Sequence, residues 1–217
     1  MDLREKAKKD KLRRIRAAAR QVFQKKGYVS ATTREIAYKA EVSVGTLFVY
    51  APAKRDLLLM VYNDDLENLP ALPTDDERPL IEQLVSLYRP RFVLWGRHPE
   101  LSRYVVREVF EPLGQDHKAA VETLRFRGRR VVVVNQIRML VVRRQAAGEV
   151  DGACDPVLLA HMIHDIFLSE NRQWLESPEP DVDIGVESLT RLLQLVQRLA
   201  GVQHRACDHR TSLADSS

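Results

Sequence analysis

Apolar residues recur along this chain at helical intervals of three and four, and polar punctuation divides the pattern into nine segments. From Asp10 to Lys26, Leu12, Ile15, Ala19, Val22 and Phe23 share one face while Arg and Lys take the other. Gly27 sits where a C-cap glycine stops a helix, and the charged residues 1–9 are expected to fray. Two short patterns follow, separated by Glu41-Val42-Ser43. Thr32, with Glu35 three places on, forms a capping box that opens the first, whose small apolar face is Ile36, Ala37 and Ala40. Ser43 caps the second, which runs through Leu47 to Tyr50. Two short helices across so tight a turn predict a helix-turn-helix, its second helix sized for a major groove.

The remaining pattern predicts six more helices. One begins near Lys54, joins the head to the body and ends at Pro70; the proline-rich, acidic stretch 70–79 is a loop. Leu80–Arg97 is periodic but contains Pro90, which should kink or break it. Glu100–Phe110 is stopped by Pro112 and Gly114. In Asp116–Ala147, the run Val131-Val132-Val133-Val134 favours a strand by local propensity. Its flanks are rich in Arg, Gln, Leu and Ala and no partner strand lies nearby, so one long helix is expected. Asp155 caps a helix that has Pro156 just inside its start and runs to about Glu176. The last, Asp183–Ala200, carries Leu189, Leu192, Leu193, Val196 and Leu199, a stripe fit for a dimer interface or for intrachain core alike. Residues 202–217 are polar, aperiodic and expected to be disordered. The fold class is all-α: a helix-turn-helix DNA-binding domain over 1–53, a helical ligand-binding and dimerisation domain over 54–201, and a tail.

Charge sharpens this division. The net +4 of 217 residues conceals 15 Lys/Arg against 6 Asp/Glu in residues 1–57, a net of +9, and 19 against 24 in the rest, a net of −5. A basic head on an acidic body suits a polyanion partner held at one end. Cys154 and Cys207 are far apart and not in ligand spacing, which fits a reducing, cytoplasmic setting. Met1–Arg14 has no apolar centre, so no signal peptide is expected, and no apolar run reaches the ~18 residues of a membrane helix. No Ser-His-Asp order, glycine-rich phosphate loop or zinc spacing suggests an enzyme, and no cofactor or metal is expected. His161, His164 and Asp165 share a helical face, which reads better as polar groups of a pocket or interface than as ligands. Arg125, Arg127, Arg129, Arg130, Arg138, Arg143 and Arg144 read better as a solvated face balanced by the body's acid than as a second nucleic-acid surface.

The runs Thr-Thr-Arg-Glu-Ile-Ala from Thr32, Ala-Glu-Val-Ser-Val-Gly-Thr-Leu-Phe-Val-Tyr from Ala40 and Pro-Ala-Lys-Arg-Asp-Leu-Leu from Pro52 resemble the N-terminal domain of TetR/AcrR-family transcriptional regulators, over about residues 10–60. Four positions depart from the family pattern: Glu41 stands where a turn glycine is usual, Phe48 for a tyrosine, Ala51 for a bulky aromatic and Ala53 for a capping serine. The resemblance implies a homodimer, formed through the last two helices, that binds double-stranded DNA and senses a small-molecule effector. It assigns Lys54 and Tyr50 to the DNA backbone. The helix N-termini offer Thr33 and Ser43 to phosphates, or merely as caps. Val44, Gly45, Thr46 and Phe48, with Val49, would face base edges, while Arg34 suits either guanine or phosphate. Tyr62, Tyr88, Phe92, Trp95, Tyr104, Phe110, Phe126, Phe167 and Trp174 are the aromatics from which a ligand pocket would draw. The expected function is a repressor released by its ligand; the rival is a ligand-blind, architectural DNA-binding protein whose body only dimerises.

Overall fold

The computed structural model describes residues 3–73, 77–110 and 121–201, without the side chains of 108–110. Nine α-helices form among these residues, and no strand: α1 (Leu3–Ser30), α2 (Thr33–Lys39), α3 (Val44–Tyr50), α4 (Lys54–Glu67), α5 (Leu80–Gly96), α6 (Pro99–Phe110), α7 (Val121–Ala146), α8 (Pro156–Trp174) and α9 (Val182–Ala200). The first three are an N-terminal helix-turn-helix unit and the rest a helical body. The four-valine run lies within α7, where tertiary packing overrides strand propensity.

Several boundaries differ from expectation. Residues 3–9, expected to fray, continue α1 as its exposed first turns. Gly27 breaks that helix at φ 72°, ψ 175°, a backbone region essentially reserved for glycine. α4 ends at Glu67, before Pro70. Pro90 does not break α5, which runs through it from Leu80 to Gly96; the helix buries Leu84, Leu87, Tyr88, Phe92 and Trp95 on both sides of the proline, and that packing outweighs one missing backbone donor. α7 begins at Val121; the expected start at Asp116 and the tail 202–217 lie outside the described residues.

Ile15, Phe23, Ile36 and Leu47 fill the head core, all at most 1% exposed. α1 is strapped to α4 by polar ties: Arg20 binds Asp65 through two contacts of 2.7 Å and Arg16 meets Asp64 at 3.2 Å. The start of α4 has no side-chain cap at Ala53; instead Asp56 Oδ2 accepts the Ala53 N–H at 3.0 Å, the second half of a capping box. In the body, Phe167 stacks on Tyr88 at 4.3 Å and meets Phe92 edge-on at 5.5 Å. Trp174 meets Phe92 edge-on at 5.0 Å and lies against Gly185, where an added Cβ would sit 2.9 Å from the indole. α9 can approach α8 and α5 here only because that position lacks a side chain.

The stripe on α9 divides. Leu189, Leu193 and Val196 enter the core, whereas Leu192 and Leu199 face outward with Ile184 and Leu195; Leu158 and Met162 of α8 are exposed as well.

Candidate nucleic-acid interface and ligand cavity

The helix-turn-helix is built by local capping. Thr32 Oγ1 accepts the Glu35 N–H at 3.2 Å and Glu35 Oε2 accepts the Thr32 N–H at 3.3 Å, closing the expected capping box. The turn passes through Glu41 at φ 54°, the left-handed backbone that a glycine would adopt without strain. Arg14 of α1 holds this turn, donating to Ala40 O and to Glu41 Oε2, both at 3.1 Å. Ser43 Oγ accepts the Thr46 N–H at 3.0 Å and lies 2.9 Å from Thr46 Oγ1, so both hydroxyls already have a local partner.

Of the expected base-facing residues, Gly45 and Phe48 are exposed, as is Val49 at 81%, whereas Val44 and Thr46 are half-buried; Tyr50, expected at the DNA backbone, is half-buried against the core. Thr33 is half-exposed and Arg34 exposed at the start of α2. Lys54 is more committed: its ammonium donates to Val29 O at 3.0 Å and Ala31 O at 3.1 Å and sits over the Tyr28 ring at 4.7 Å. One of its three N–H donors remains for a phosphate.

Sequence reasoning passed over an open groove of about 420 Å³ between α1 and α2, bordered by Lys25, Lys26, Arg34, Tyr38 and Lys39. Tyr38 is 88% exposed there. Its signal was available: it sits opposite the buried face of Ile36 and Ala37, beside a lysine, at the end of a helix that flanks the recognition helix. Lys6, Lys8, Lys11, Lys25, Arg34 and Lys39 are exposed on this head, and no ion pair engages them among the described residues.

In the body, a cavity of about 250 Å³ opens between α4, α5, α6, α7 and α8. Leu66, Trp95, Val106, Phe126, Val133, Phe167 and Leu168 supply its apolar wall; Arg91, Arg127, Arg129, Arg130, His164 and Asn171 supply its polar one. Three of the nine expected aromatics therefore line it. Tyr88 and Phe92 are wholly buried behind it; Tyr62 stacks on Trp95 at 5.3 Å and bonds Ser102 at 2.9 Å; Tyr104 packs on Tyr28 at 4.5 Å; Trp174 packs on Phe92. The Phe110 side chain lies outside the described residues.

The polar lining is unevenly satisfied. Arg129 donates to Asn63 Oδ1 at 3.1 Å and meets Glu67 at 3.4 Å, while Arg130 holds Asp165 at 2.7 Å and 3.0 Å. Asp165 is thus spent on Arg130, His161 is exposed and His164 buried, so the three expected helix-face neighbours do not converge; no group of His, Cys, Asp or Glu among the described residues is arranged for a metal ion. His164 Nδ1 lies 3.3 Å from the Tyr88 hydroxyl, and burial, reinforced by Arg130 and Arg91, pushes its pKa down to about 3. Arg91 is 8% exposed, and burial lowers its pKa too. Its guanidinium donates to Leu87 O on its own helix and meets no carboxylate among the described residues. Asn171, 2% exposed, leaves its Oδ1 without a hydrogen bond.

The arginines of α7 otherwise serve the fold. Arg125 joins Asp64 at 3.3 Å, Glu122 at 3.4 Å and Glu67; Arg143 donates to Pro73 O and Arg144 to Glu77 O and Arg78 O. A polar seam connects this helix to α4: Asn63 donates to Glu122 O and Oε2 at 2.9 Å and 2.8 Å, and Thr123 to Asp56 Oδ1 at 3.4 Å.

Residues 15–61, which carry the helix-turn-helix and the start of α4, match the model of the bacterial regulatory proteins of the tetR family. The match covers the DNA-binding head, which is similar to that of tetR-family regulators. Over 203 residues, 92% of this chain and 87% of the other, the chain is 26% identical to the HTH-type transcriptional repressor KstR of Rhodococcus jostii. The KstR of Mycobacterium tuberculosis is 27% identical over 205 residues, covering 88% of this chain and 84% of its own. Two solved structures show the same fold. FadR of Thermus thermophilus, a TetR-family transcriptional repressor in complex with lauroyl-CoA, superposes with a TM-score of 0.62 at 21% identity, over 91% of this chain and 98% of that one. A TetR-family transcriptional regulator of Pectobacterium atrosepticum gives a TM-score of 0.66 at 18% identity, over 94% and 99%. No helix among the described residues is long and apolar enough to cross a membrane.

Proposed function

We infer that this chain is a homodimeric repressor that binds a near-palindromic operator in the cytoplasm and is released by a small molecule lodged in the α4–α8 cavity. It acts by binding, not by catalysis. The carrying observation is the pairing, in one chain, of an exposed recognition helix with a largely apolar cavity whose wall bonds to the helix joining them, through Arg129 and Asn63. The KstR relatives, named as repressors, and the lauroyl-CoA complex of Thermus FadR support it.

Residues 1–53 do the DNA binding, and 54–201 hold effector and partner. Thr33, Arg34, Tyr50 and Lys54 serve the phosphates, together with Tyr38 and Lys39. Ser43 shapes the N-terminus of α3. Gly45, Thr46 and Phe48, flanked by Val44 and Val49, meet base edges. A recognition surface of Gly, Val and Phe has few hydrogen-bond donors, so thymine methyl contacts and DNA shape carry much of the specificity. The dimer forms through α8 and α9: Leu158, Met162, Ile184, Leu195 and Leu199 make an apolar surface that a second copy covers, pairing four helices about a two-fold. Two recognition helices then meet successive major grooves ~34–36 Å apart. Release follows if the effector prefers the conformation whose heads are wrongly spaced, lowering operator affinity by the ratio of its two affinities.

Genomic pull-down with the purified chain at moderate salt, followed by footprinting, tests this reading. Recovery of one or a few near-palindromes with half-sites one helical turn apart is expected. Diffuse recovery without a motif would favour a ligand-blind architectural protein.

A further inference from the structure

Arginine keeps its charge in proteins, and a guanidinium carries five N–H donors. Arg91 brings that group to the cavity wall at 8% exposure, and the only acceptor it meets among the described residues is Leu87 O of its own helix. The other cations of the lining differ. Arg129 has Glu67 and Asn63, Arg130 has Asp165, and Arg127, less deeply placed, is engaged as well. Among the described residues the cavity therefore holds one deep positive charge without a counter-ion, next to an apolar wall of Trp95, Phe126 and Phe167. An uncompensated buried charge is costly, and a protein that keeps one beside a void has left the counter-ion to be supplied. Asn171 adds a second vacancy of opposite kind: its buried Oδ1 has no donor. Both orphans border the same space, on α5 and α8.

We propose that this cavity binds an apolar organic monocarboxylic acid, its carboxylate held by the Arg91 guanidinium and a hydroxyl or amide of the same molecule donating to Asn171 Oδ1. At about 250 Å³ the cavity lies below the ~300–1,000 Å³ usual for drug-sized ligands, which favours a compact acid. A polyphosphate headgroup is disfavoured, because Arg129 and Arg130 at the rim are already matched by carboxylates. The proposal deepens, and for its regulatory meaning rests on, the reading of the chain as an effector-released repressor.

The test titrates the full-length chain calorimetrically with octanoate, decanoate, 4-phenylbutyrate and 1-naphthylacetate, each beside its methyl ester, and with lauroyl-CoA. At least one acid is expected to bind one per chain and roughly tenfold or more tighter than its ester. Arg91→Met should erase that preference, and Arg91→Lys restore part of it. Without ligand, Arg91→Met should melt at or above the temperature of the parent chain, since it removes a buried charge that no described carboxylate neutralises. Acids that bind no better than esters, the absence of binding by any acid, or lauroyl-CoA binding while all acids fail would each overturn the proposal. So would a lowered melting point in Arg91→Met, which would make the contact with Leu87 O the purpose of the residue. Operator affinity is measured in parallel. An acid that binds through Arg91 without weakening DNA binding would uphold the site and sink the effector-release reading alone.

Discussion

The head and the cavity both carry unpaired positive charge, and they carry it in opposite surroundings. On the head, Lys25, Arg34 and Lys39 lie in water, where an unpaired cation costs almost nothing and remains ready for a phosphate. In the cavity, Arg91 and the neighbouring His164 are 8% and 5% exposed, and the surroundings act on them directly: one stays charged without a counter-ion among the described residues, the other is held neutral. The lesson is that the two halves answer to different variables. Salt governs the exposed set, whose attraction is screened within ~10 Å at 0.1 M. Proton concentration and the chemistry of the guest govern the buried set.

The largest effect should come from acid. His164 is neutral in the folded chain down to about pH 3, while an unfolded histidine takes up its proton near 6.5. The unfolded state therefore binds more protons between those values, and stability falls as pH drops through that window, by roughly 1.4 kcal/mol per unit from this group. Chemical denaturation at pH 7, 6, 5 and 4 measures the slope, and His164→Gln should remove this part of it. If the slope is the same in both proteins, the buried half of the comparison fails. Next in size, replacing Lys25, Arg34 and Lys39 together by Gln should weaken operator binding about a hundredfold. It should also reduce the slope of log affinity against log salt by roughly 3, about 0.9 for each phosphate that is no longer neutralised. An unchanged salt slope would mean that the groove between α1 and α2 does not touch DNA. Ser43→Ala removes the cap of α3 and should cost about 1 kcal/mol by thermal melting, with operator affinity falling further than that through a frayed recognition helix. The smallest effect belongs to Glu41→Gly. Relief of the left-handed backbone opposes the added freedom of the unfolded chain and the removal of the ion pair with Arg14, so a gain of about 0.5 kcal/mol by the same melting measurement is expected.

Much of the fold was legible because its determinants are local. The capping box at Thr32, the cap at Ser43, the break at Gly27 and the proline at the start of α8 each act within a few residues and were readable as such. Pro90 does not end α5 because the packing that carries the helix through it comes from other helices. The cavity was less legible still. Periodicity says which residues turn inward, not which of them border a void, so Tyr88 and Phe92 looked as promising as Trp95 and Phe126. Arg91 and Asn171 were missed although a signal existed. Arg91 occupies the core-facing register of Leu84, Leu87, Tyr88 and Trp95, and Asn171 that of Ala160, Ile163 and Phe167. A polar residue at an inward position is more telling than any single aromatic.

The strapping of α1 to α4 has a mechanical consequence. With Arg16 and Arg20 bound along its side and Lys54 clasping the end of α1, the joining helix and the head move as one stiff arm. Fourteen residues make that arm ~21 Å long. Tilting it by ~10° at the cavity end displaces the far end by roughly 4 Å, close to the ~3.4 Å between successive bases of one strand. A guest that tilted the arm by that angle would put the recognition helix about one base out of step.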